Sequence, residues 1–473
     1  MVFLSGAPAS GKTTLGRKLA ERLKVPFVDL DAEIVSRTGR TVPDIFAKNG
    51  EGSFRDIESE TLASVASSAD RGAVVSLGGG TLLRDSNRAL CEKAGSVFCL
   101  ETPDDAELER RIGSAAGSRP LGNKARERAP HYASFKSRIA ASFEAGDSLV
   151  IVGSGLARGL APIFPIVADG NVANLYCGES GAFPRPAAVI PSGEEHKTPA
   201  TVASLWSAFA KLGLGRRDVV ASLGGGVTGD LTGFAAATWM RGIDWVNFPT
   251  TLLSMVDAST GGKTGCDLPE GKNLAGAFHA PRLVVIDTDF LATLPAAILA
   301  DGRAEMIKHE AIGGVSGYGE RGTGNGERGV PSAKEIAENL MVKVRIVRED
   351  PFERLGRRML LNCGHTVGHA VEKLSGYRLS HGSAVAIGCV AEARLAVRFG
   401  LAPCEWPDEF AARFASAGLP TEIPEGMTDE AIAAVMAGDK KKTGGGVVDF
   451  ALPCGWGDVR RVPVKLGKEL TKC

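Results

Sequence analysis

The run Gly6-Ala7-Pro8-Ala9-Ser10-Gly11-Lys12-Thr13 follows the pattern GxxxxGK[ST]. Backbone amides of such a loop wrap phosphates, the lysine neutralises charge on the group in flight, and the threonine hydroxyl can hold Mg²⁺. With Thr14 completing it, the run reads as an ATP–Mg²⁺ site, and it is silent about what accepts the phosphate. Asp29 and Asp31 stand two apart at the end of a predicted strand and so point to one side. One is placed to order Mg²⁺, the other to take the proton of an acceptor hydroxyl. Arg55, Arg119 and Arg128 are the cations available for an anionic acceptor and a covering lid.

A second set of chemistry-bearing residues lies far downstream. Three of the chain's seven histidines, His365, His369 and His381, fall within one short stretch, and Glu305 sits in a helical pattern before them. One glutamate with two histidines is a catalytic zinc set with a position left open for substrate oxygen. Spacing puts His365 and His369 on one helix face and does not choose between them. Histidines satisfied in a core are the plainer reading of such a pair. Glycine-rich loops at 191–197 and 224–230 flank predicted strands without the GxGxxG spacing of an ordinary dinucleotide fold. Thr250, Thr251, Asp257 and Lys263 add hydroxyls, a carboxylate and a cation close by.

The elements that must hold these groups alternate. Apolar runs at 2–5, 27–31, 73–77 and 96–100 read as strands, and 12–23 and 55–67 as helices, which predicts a parallel sheet with helices on both faces. The pattern lapses around 141–147 and a new strand begins at 148, so a boundary is expected there. The expected partition is 1–146, a phosphate-loop kinase domain; 147–300, an α/β nucleotide-binding part; and 301–473, mainly helical and metal-binding, with a strand at 447–452. The glycine-rich stretch 313–329 reads as a flexible loop.

Bulk properties narrow the class. A chain of 473 residues exceeds one ordinary core. Its 55 basic and 55 acidic residues cancel, so nothing global favours nucleic acid or an anionic membrane. Nine cysteines without a CxxC pair fit a reducing compartment, and no apolar run reaches a membrane span. With Met1 running straight into the phosphate loop and leaving no room for a signal peptide, a soluble cytoplasmic protein is expected.

Most of residues 1–140 resembles shikimate kinase. The resemblance rests on the phosphate loop, Asp29-Leu30-Asp31, Gly50-Glu51 leading to Phe54-Arg55, the triple glycine at 78–80, Ser118-Arg119-Pro120-Leu121, and Arg128 four residues before Tyr132. It implies that Asp31, Arg55, Gly79, Gly80 and Arg128 hold shikimate, that Asp29 with Thr13 orders Mg²⁺, and that Lys12 and a lid residue, Arg119, contact the nucleotide phosphates. The sequence departs from the family at Leu77, at Gly122 and after Tyr132, where the adenine loop belongs.

Residues from about 148 to 455 resemble 3-dehydroquinate synthase. The ordered matches are 191–197, 224–230, Met240-Arg241-Gly242, 249–253, 256–263, Gly271-Lys272-Asn273, 305–308, Leu361-Asn362-Cys363-Gly364-His365, His381-Gly382 and Asp439-Lys440-Lys441. The resemblance implies Glu305, His365 and His381 as ligands of Zn²⁺ or Co²⁺, and makes His369 a proton-handling neighbour. It implies NAD⁺ contacts from Asp169, Asn171, Glu194, Lys197, Gly225, Gly226, Val227, Asp230, Thr250, Thr251, Leu253, Asp257, Lys263 and Lys272. Lys263, Lys308, Lys343, Arg358, Asn362, His369 and Lys441 would hold the substrate, with Asp257 and Asn273 nearby. Arg241 would reach the site of a second subunit, so a homodimer is expected. The segment before Pro191 is shorter than usual, and the Lys343–Arg358 spacing is one residue longer.

Together these resemblances imply a bifunctional enzyme of aromatic amino acid (chorismate) biosynthesis. Its kinase would phosphorylate shikimate. Its synthase would convert 3-deoxy-D-arabino-heptulosonate 7-phosphate to 3-dehydroquinate and phosphate, with NAD⁺ unchanged overall. The alternatives are another sugar-phosphate cyclase, a metal-dependent polyol dehydrogenase, or a kinase-like domain kept as a regulatory module.

Overall fold

The computed structural model describes residues 1–68, 72–102, 107, 110, 126–179, 181–314, 329–439 and 447–465. Its strands are β1 (Val2–Gly6), β2 (Phe27–Asp29), β3 (Val74–Ser76), β4 (Ser96–Leu100), β5 (Arg138–Ala145), β6 (Ser148–Ser154), β7 (Ile166–Asp169), β8 (Ala188–Ile190), β9 (Val219–Gly224), β10 (Asp244–Pro249), β11 (Lys263–Leu268), β12 (Gly271–Phe278), β13 (Leu283–Asp287), β14 (Val447–Gly455) and β15 (Asp458–Lys465). Eleven of them form one sheet in the order β2-β3-β1-β4-β5-β6-β13-β10-β9-β7-β8. Every pairing in it is parallel except β5 with β6. Parallel strands covered on both faces read as continuous apolar runs, which is why β1, β3 and β4 were visible in the sequence.

The place where a domain boundary is expected has a different character. Residues 138–145 are a strand, and Gly146-Asp147 is the turn of a hairpin, with Gly146 at φ 61°. β5 pairs in parallel with β4 at Cys99↔Arg138 and Leu100↔Ile139, and antiparallel with β6 along its length, from Arg138↔Ser154 to Ala145↔Ser148. A register shift at Ile139/Ala141 interrupts the β6 ladder just past the two residues that also pair with β4. Of residues 141–144 only Phe143 is large and apolar, Ser142 is exposed and the others half-buried, so the strand offers no buried apolar run to a pattern search.

The core follows the same continuity. Helix α1 (Lys12–Leu23) buries Leu15, Leu19 and Leu23 in one cluster with Val2 and Leu4 of β1, Leu149 to Val152 of β6, and Leu340 and Val344 of the C-terminal unit. At the rim, Lys24 donates to the carbonyl of Arg217 at 2.7 Å and Arg282 to that of Glu21 at 2.8 Å. A second cluster fills the opposite face of the N-terminal sheet around Phe3, Leu30, Ile45 and Leu62.

Helices α2 (Leu30–Thr38), α3 (Val42–Ser68) and α4 (Gly226–Thr238) cover the sheet; α5 (Ala296–Gly313), α6 (Ala333–Glu349), α7 (His365–Leu374) and α8 (His381–Arg398) build the helical part. The β14–β15 hairpin packs on the helical part, so the strand expected at 447–452 has an unforeseen partner. The expected loop at 313–329 contains Gly313, the last residue of α5, and Gly314, its cap; 315–328 lie outside the described residues. Among the described residues no helix is long and apolar enough to cross a membrane.

Two candidate active sites

The first site lies where β1, β2 and β3 end. Gly11 takes the left-handed conformation, φ 97°, and Ala9 has φ 60°, which turns the loop sharply into α1. Lys12 folds back, its Nζ donating to the carbonyls of Gly6 at 2.9 Å and Ala7 at 2.7 Å. Burial pushes its ammonium down to about 8, against the pull of Asp31 and Asp29. Thr13 donates to Asp29 Oδ2 at 2.8 Å, bringing the expected Mg²⁺ pair together. Asp29 and Asp31 are not successive outward residues of a strand: β2 stops at Asp29, which caps α2 by accepting from Ala32 N, and Asp31 stands in the first helical turn. An aspartate ending a strand competes for the next helix's amides, and here capping wins.

The acceptor side converges around the triple glycine. A Cβ on Gly80 would lie 2.5 Å from Arg55 Nη2 and 3.0 Å from Arg128 Nη1, and one on Gly78 would lie 3.3 Å from Asp31 Oδ1. Glycine at 78 and 80 leaves this space to the ends of the arginine and aspartate side chains, which a larger residue would have to push aside. Glu58, buried and unforeseen, takes Arg55 Nη1 at 2.6 Å and the Thr81 hydroxyl at 2.6 Å. Its signal was present in principle, three residues from Arg55 on one helix face. The Tyr132 hydroxyl donates to Gly79 O at 2.7 Å. Arg119 lies outside the described residues, and Thr14 is exposed on α1.

The second site gathers Glu305 from α5, His365 at the start of α7 and His381 at the start of α8. One ligand atom of each lies within 4.8 Å of the others. His365 Nε2 and His381 Nε2 stand 3.4 and 3.3 Å from Glu305 Oε1. Their outer nitrogens face Cys363 O at 3.0 Å and Glu372 Oε2 at 3.8 Å. Imidazoles anchored on the outside and converging inside on a carboxylate fit a divalent cation. Burial opposes ionisation of Glu305, yet Lys308, His365 and His381 hold its carboxyl well below the usual range. Burial also works against charge on His381, but Glu305 and Glu372 push it up to about 10. Burial and Lys308 push His365 down to about 3. His369 is exposed at the rim, its ring 5.2 Å from that of His365.

Around this centre the expected cations take named partners. Lys308 is buried against Glu305. Lys343, from α6, donates to Asp257 Oδ1 at 2.8 Å and to its carbonyl at 2.6 Å. Burial opposes the charge on Asp257, while Lys343 and Lys308 hold its carboxyl low. Lys263 pairs with Glu353 at 2.5 Å, and Lys272 with Glu372 at 3.0 Å. Arg358 is buried, donating to Gly261 O and Pro351 O, while Asn362 is exposed nearby. Glu372 shares a face of α7 with the histidines and could have been found by spacing; Glu353 comes from a loop and could not.

The nucleotide-side residues cluster at the ends of β7, β9 and β10. Gly225 precedes α4, and a Cβ on Gly224 would fall 2.9 Å from Asp169 Oδ2, so the loop needs glycine there. Asp169 caps the helix Gly170–Tyr176 through Asn171 N and Val172 N. Lys197 is buried between Asp230 and Asn273, each at 2.7 Å. Gly226, Asp230, Ser259 and Lys263 line a shared cavity, with Val227, Thr250, Thr251 and Leu253 in the adjoining turns and Glu194 beside Lys272 at 3.8 Å. Arg241 lies on an exposed turn at φ 67°, and Lys441 lies outside the described residues.

Family models match in three pieces: shikimate kinase over residues 8–152, 3-dehydroquinate synthase N-terminal over 187–301 and 3-dehydroquinate synthase C-terminal over 302–442. A 3-dehydroquinate synthase of Synechococcus sp. is 47% identical over 282 residues, covering 57% of this chain and 75% of that protein. The chain belongs to the 3-dehydroquinate synthase family. A 2-epi-5-epi-valiolone synthase from Streptomyces hygroscopicus subsp. jinggangensis 5008, solved with NAD⁺ and Zn²⁺ bound, superposes with TM-score 0.60 at 29% identity, covering 68% of this chain and 94% of that one. A 2-deoxy-scyllo-inosose synthase complexed with carbaglucose-6-phosphate, NAD⁺ and Co²⁺ superposes with TM-score 0.60 at 25% identity, over 69% and 97% of the two chains. With a shikimate kinase unit ahead of its synthase, the chain is a bifunctional enzyme of the shikimate pathway.

Proposed function

We propose that residues 1–146 move the γ-phosphoryl of ATP to the 3-hydroxyl of shikimate, and that 147–300 and 301–473 together convert 3-deoxy-D-arabino-heptulosonate 7-phosphate to 3-dehydroquinate and phosphate. In the kinase half Asp31 takes the hydroxyl proton, and Arg55 and Arg128 clamp the acceptor's carboxylate over Gly80. Glu58 fixes the Arg55 fork. Lys12 exchanges the two carbonyls for nucleotide phosphate, and Thr13 with Asp29 holds Mg²⁺.

In the synthase half the observation carrying the reading is the convergence of Glu305, His365 and His381 within 4.8 Å. NAD⁺ and a divalent ion, zinc or cobalt, would supply reversible alcohol oxidation at this place. The chain's own residues hold the substrate: Lys263, Lys308, Lys343 and Arg358 match a molecule bearing both phosphate and carboxylate. His369, at the rim, carries protons between the site and solvent. We further propose a cytoplasmic homodimer in which Arg241 reaches the partner's site.

The test is one purified polypeptide given both substrate sets. Shikimate-dependent ADP and heptulosonate-dependent phosphate are both expected, without net NADH. Accumulating NADH would instead mark a polyol dehydrogenase.

A further inference from the structure

His309 stands one residue beyond Lys308 on α5, fully buried. Its Nδ1 lies 2.9 Å from Asn339 Oδ1. The Asn339 amide is itself fixed, because its Nδ2 donates to Met306 O at 2.9 Å. Asn339 Oδ1 is therefore an acceptor, so His309 Nδ1 carries the proton and, in the neutral ring, Nε2 carries a lone pair. Nε2 is buried and has no hydrogen-bond partner.

A ring nitrogen of His309 lies within 4.8 Å of carboxylate oxygens from both Asp257 and Glu305. With Nδ1 engaged by Asn339, Nε2 is the atom available to that group. Lys343 already donates to Asp257 and Lys308 is ion-paired with Glu305, so the acceptor left without a donor is His309 Nε2, at a cost of about 1–3 kcal/mol. One small donor in contact with all three removes that cost, and a buried water ordinarily makes about three such bonds.

We propose that His309 is a positioning residue for the metal ligand Glu305, acting through an O–H donor shared by His309, Glu305 and Asp257. The donor is one ordered water or the substrate hydroxyl that displaces it. The proposal rests on the reading of Glu305 as a metal ligand. Partners of this kind set the orientation of a ligating carboxylate, and losing one weakens metal binding by roughly 10- to 100-fold.

The full-length chain, loaded with Zn²⁺, is titrated with a competing chelator as wild type, His309→Leu and His309→Gln, with shikimate phosphorylation as the control for folding. His309→Leu should weaken zinc binding by about 10- to 100-fold, while His309→Gln, whose amide oxygen still accepts, retains most of the affinity. Kinase turnover should be unchanged in both. Equal zinc affinity in wild type and His309→Leu overturns the proposal, as does a glutamine variant as weak as leucine. Wild type that holds no zinc would sink the metal site along with it. In a structure of the zinc-loaded protein, an oxygen bridging the three groups without substrate identifies water. One seen only with substrate identifies a substrate hydroxyl, and none in either state overturns the idea.

Discussion

Lys343 Nζ bonds both the carboxylate and the main-chain oxygen of Asp257, 86 positions earlier in the chain. It thereby ties α6 to the turn at Ser254–Ala258 that leads toward the nucleotide loop. Lys343→Met leaves the Asp257 carboxylate without its hydrogen-bonded cation, near the Glu305 carboxylate and with Lys308 as the remaining counter-charge. Breaking a buried pair on one side costs ~3–5 kcal/mol, and the lower end applies because Asp257 keeps 28% exposure. Thermal unfolding should show that loss, and heptulosonate-dependent phosphate release should vanish. Adding Asp257→Asn should restore stability without restoring activity. A single variant as stable as wild type would show that the pair contributes nothing.

Much of this site was legible because its residues are chemically loaded and locally spaced. The phosphate loop, the cluster of three histidines and the glycine loops all announce themselves within short windows, though only the family resemblance, not spacing, chose His365 over His369. What stayed hidden depends on distant chain. Glu353 matters through Lys263, far earlier in the chain, and Glu58 joins its helix neighbour Arg55 to the distant Thr81. The β5 strand is invisible because its two neighbours come from different units. Asp29 and Asp31 were placed on one strand by a period that holds only until a capping aspartate ends it.

Removal of the divalent metal should separate the two activities. Exhaustive chelation and dialysis, followed by Mg²⁺ alone, should abolish phosphate release and leave phosphoryl transfer to shikimate intact. Glu305→Gln should reproduce the synthase loss without chelator, since it removes the one anionic member of the triad. Phosphate release that survives both treatments would exclude a metal role for these residues.

The shared strand and the cluster running from Leu19 to Val344 predict one unfolding event rather than two. Calorimetry of the full chain should show a single endotherm. NAD⁺ at about 100 times its dissociation constant adds ~2.7 kcal/mol to whatever unfolds with its site, so it should also prolong kinase activity during heating. Leu19→Ala in α1 should cost ~2–5 kcal/mol and lower the heat resistance of both activities together. Two endotherms, only one of them moved by NAD⁺, would show that the halves unfold independently.

The burial of Lys12 makes nucleotide binding depend on pH in a direction that can be worked out. In the ligand-free loop its ammonium titrates at about 8, whereas polyanionic phosphate favours the charged form. Below that value the lysine is already charged and ATP affinity should be flat. Above it, binding must also take up a proton, so the dissociation constant should rise by as much as ~10-fold per pH unit, the equivalent of 1.36 kcal/mol. Lys12→Arg keeps its charge across this range and should flatten the profile while weakening binding through its bulkier head. Calorimetric titration of ATP between neutral and mildly alkaline pH distinguishes the cases. A wild-type profile as flat as that of the arginine variant would mean that Lys12 enters the free loop fully charged.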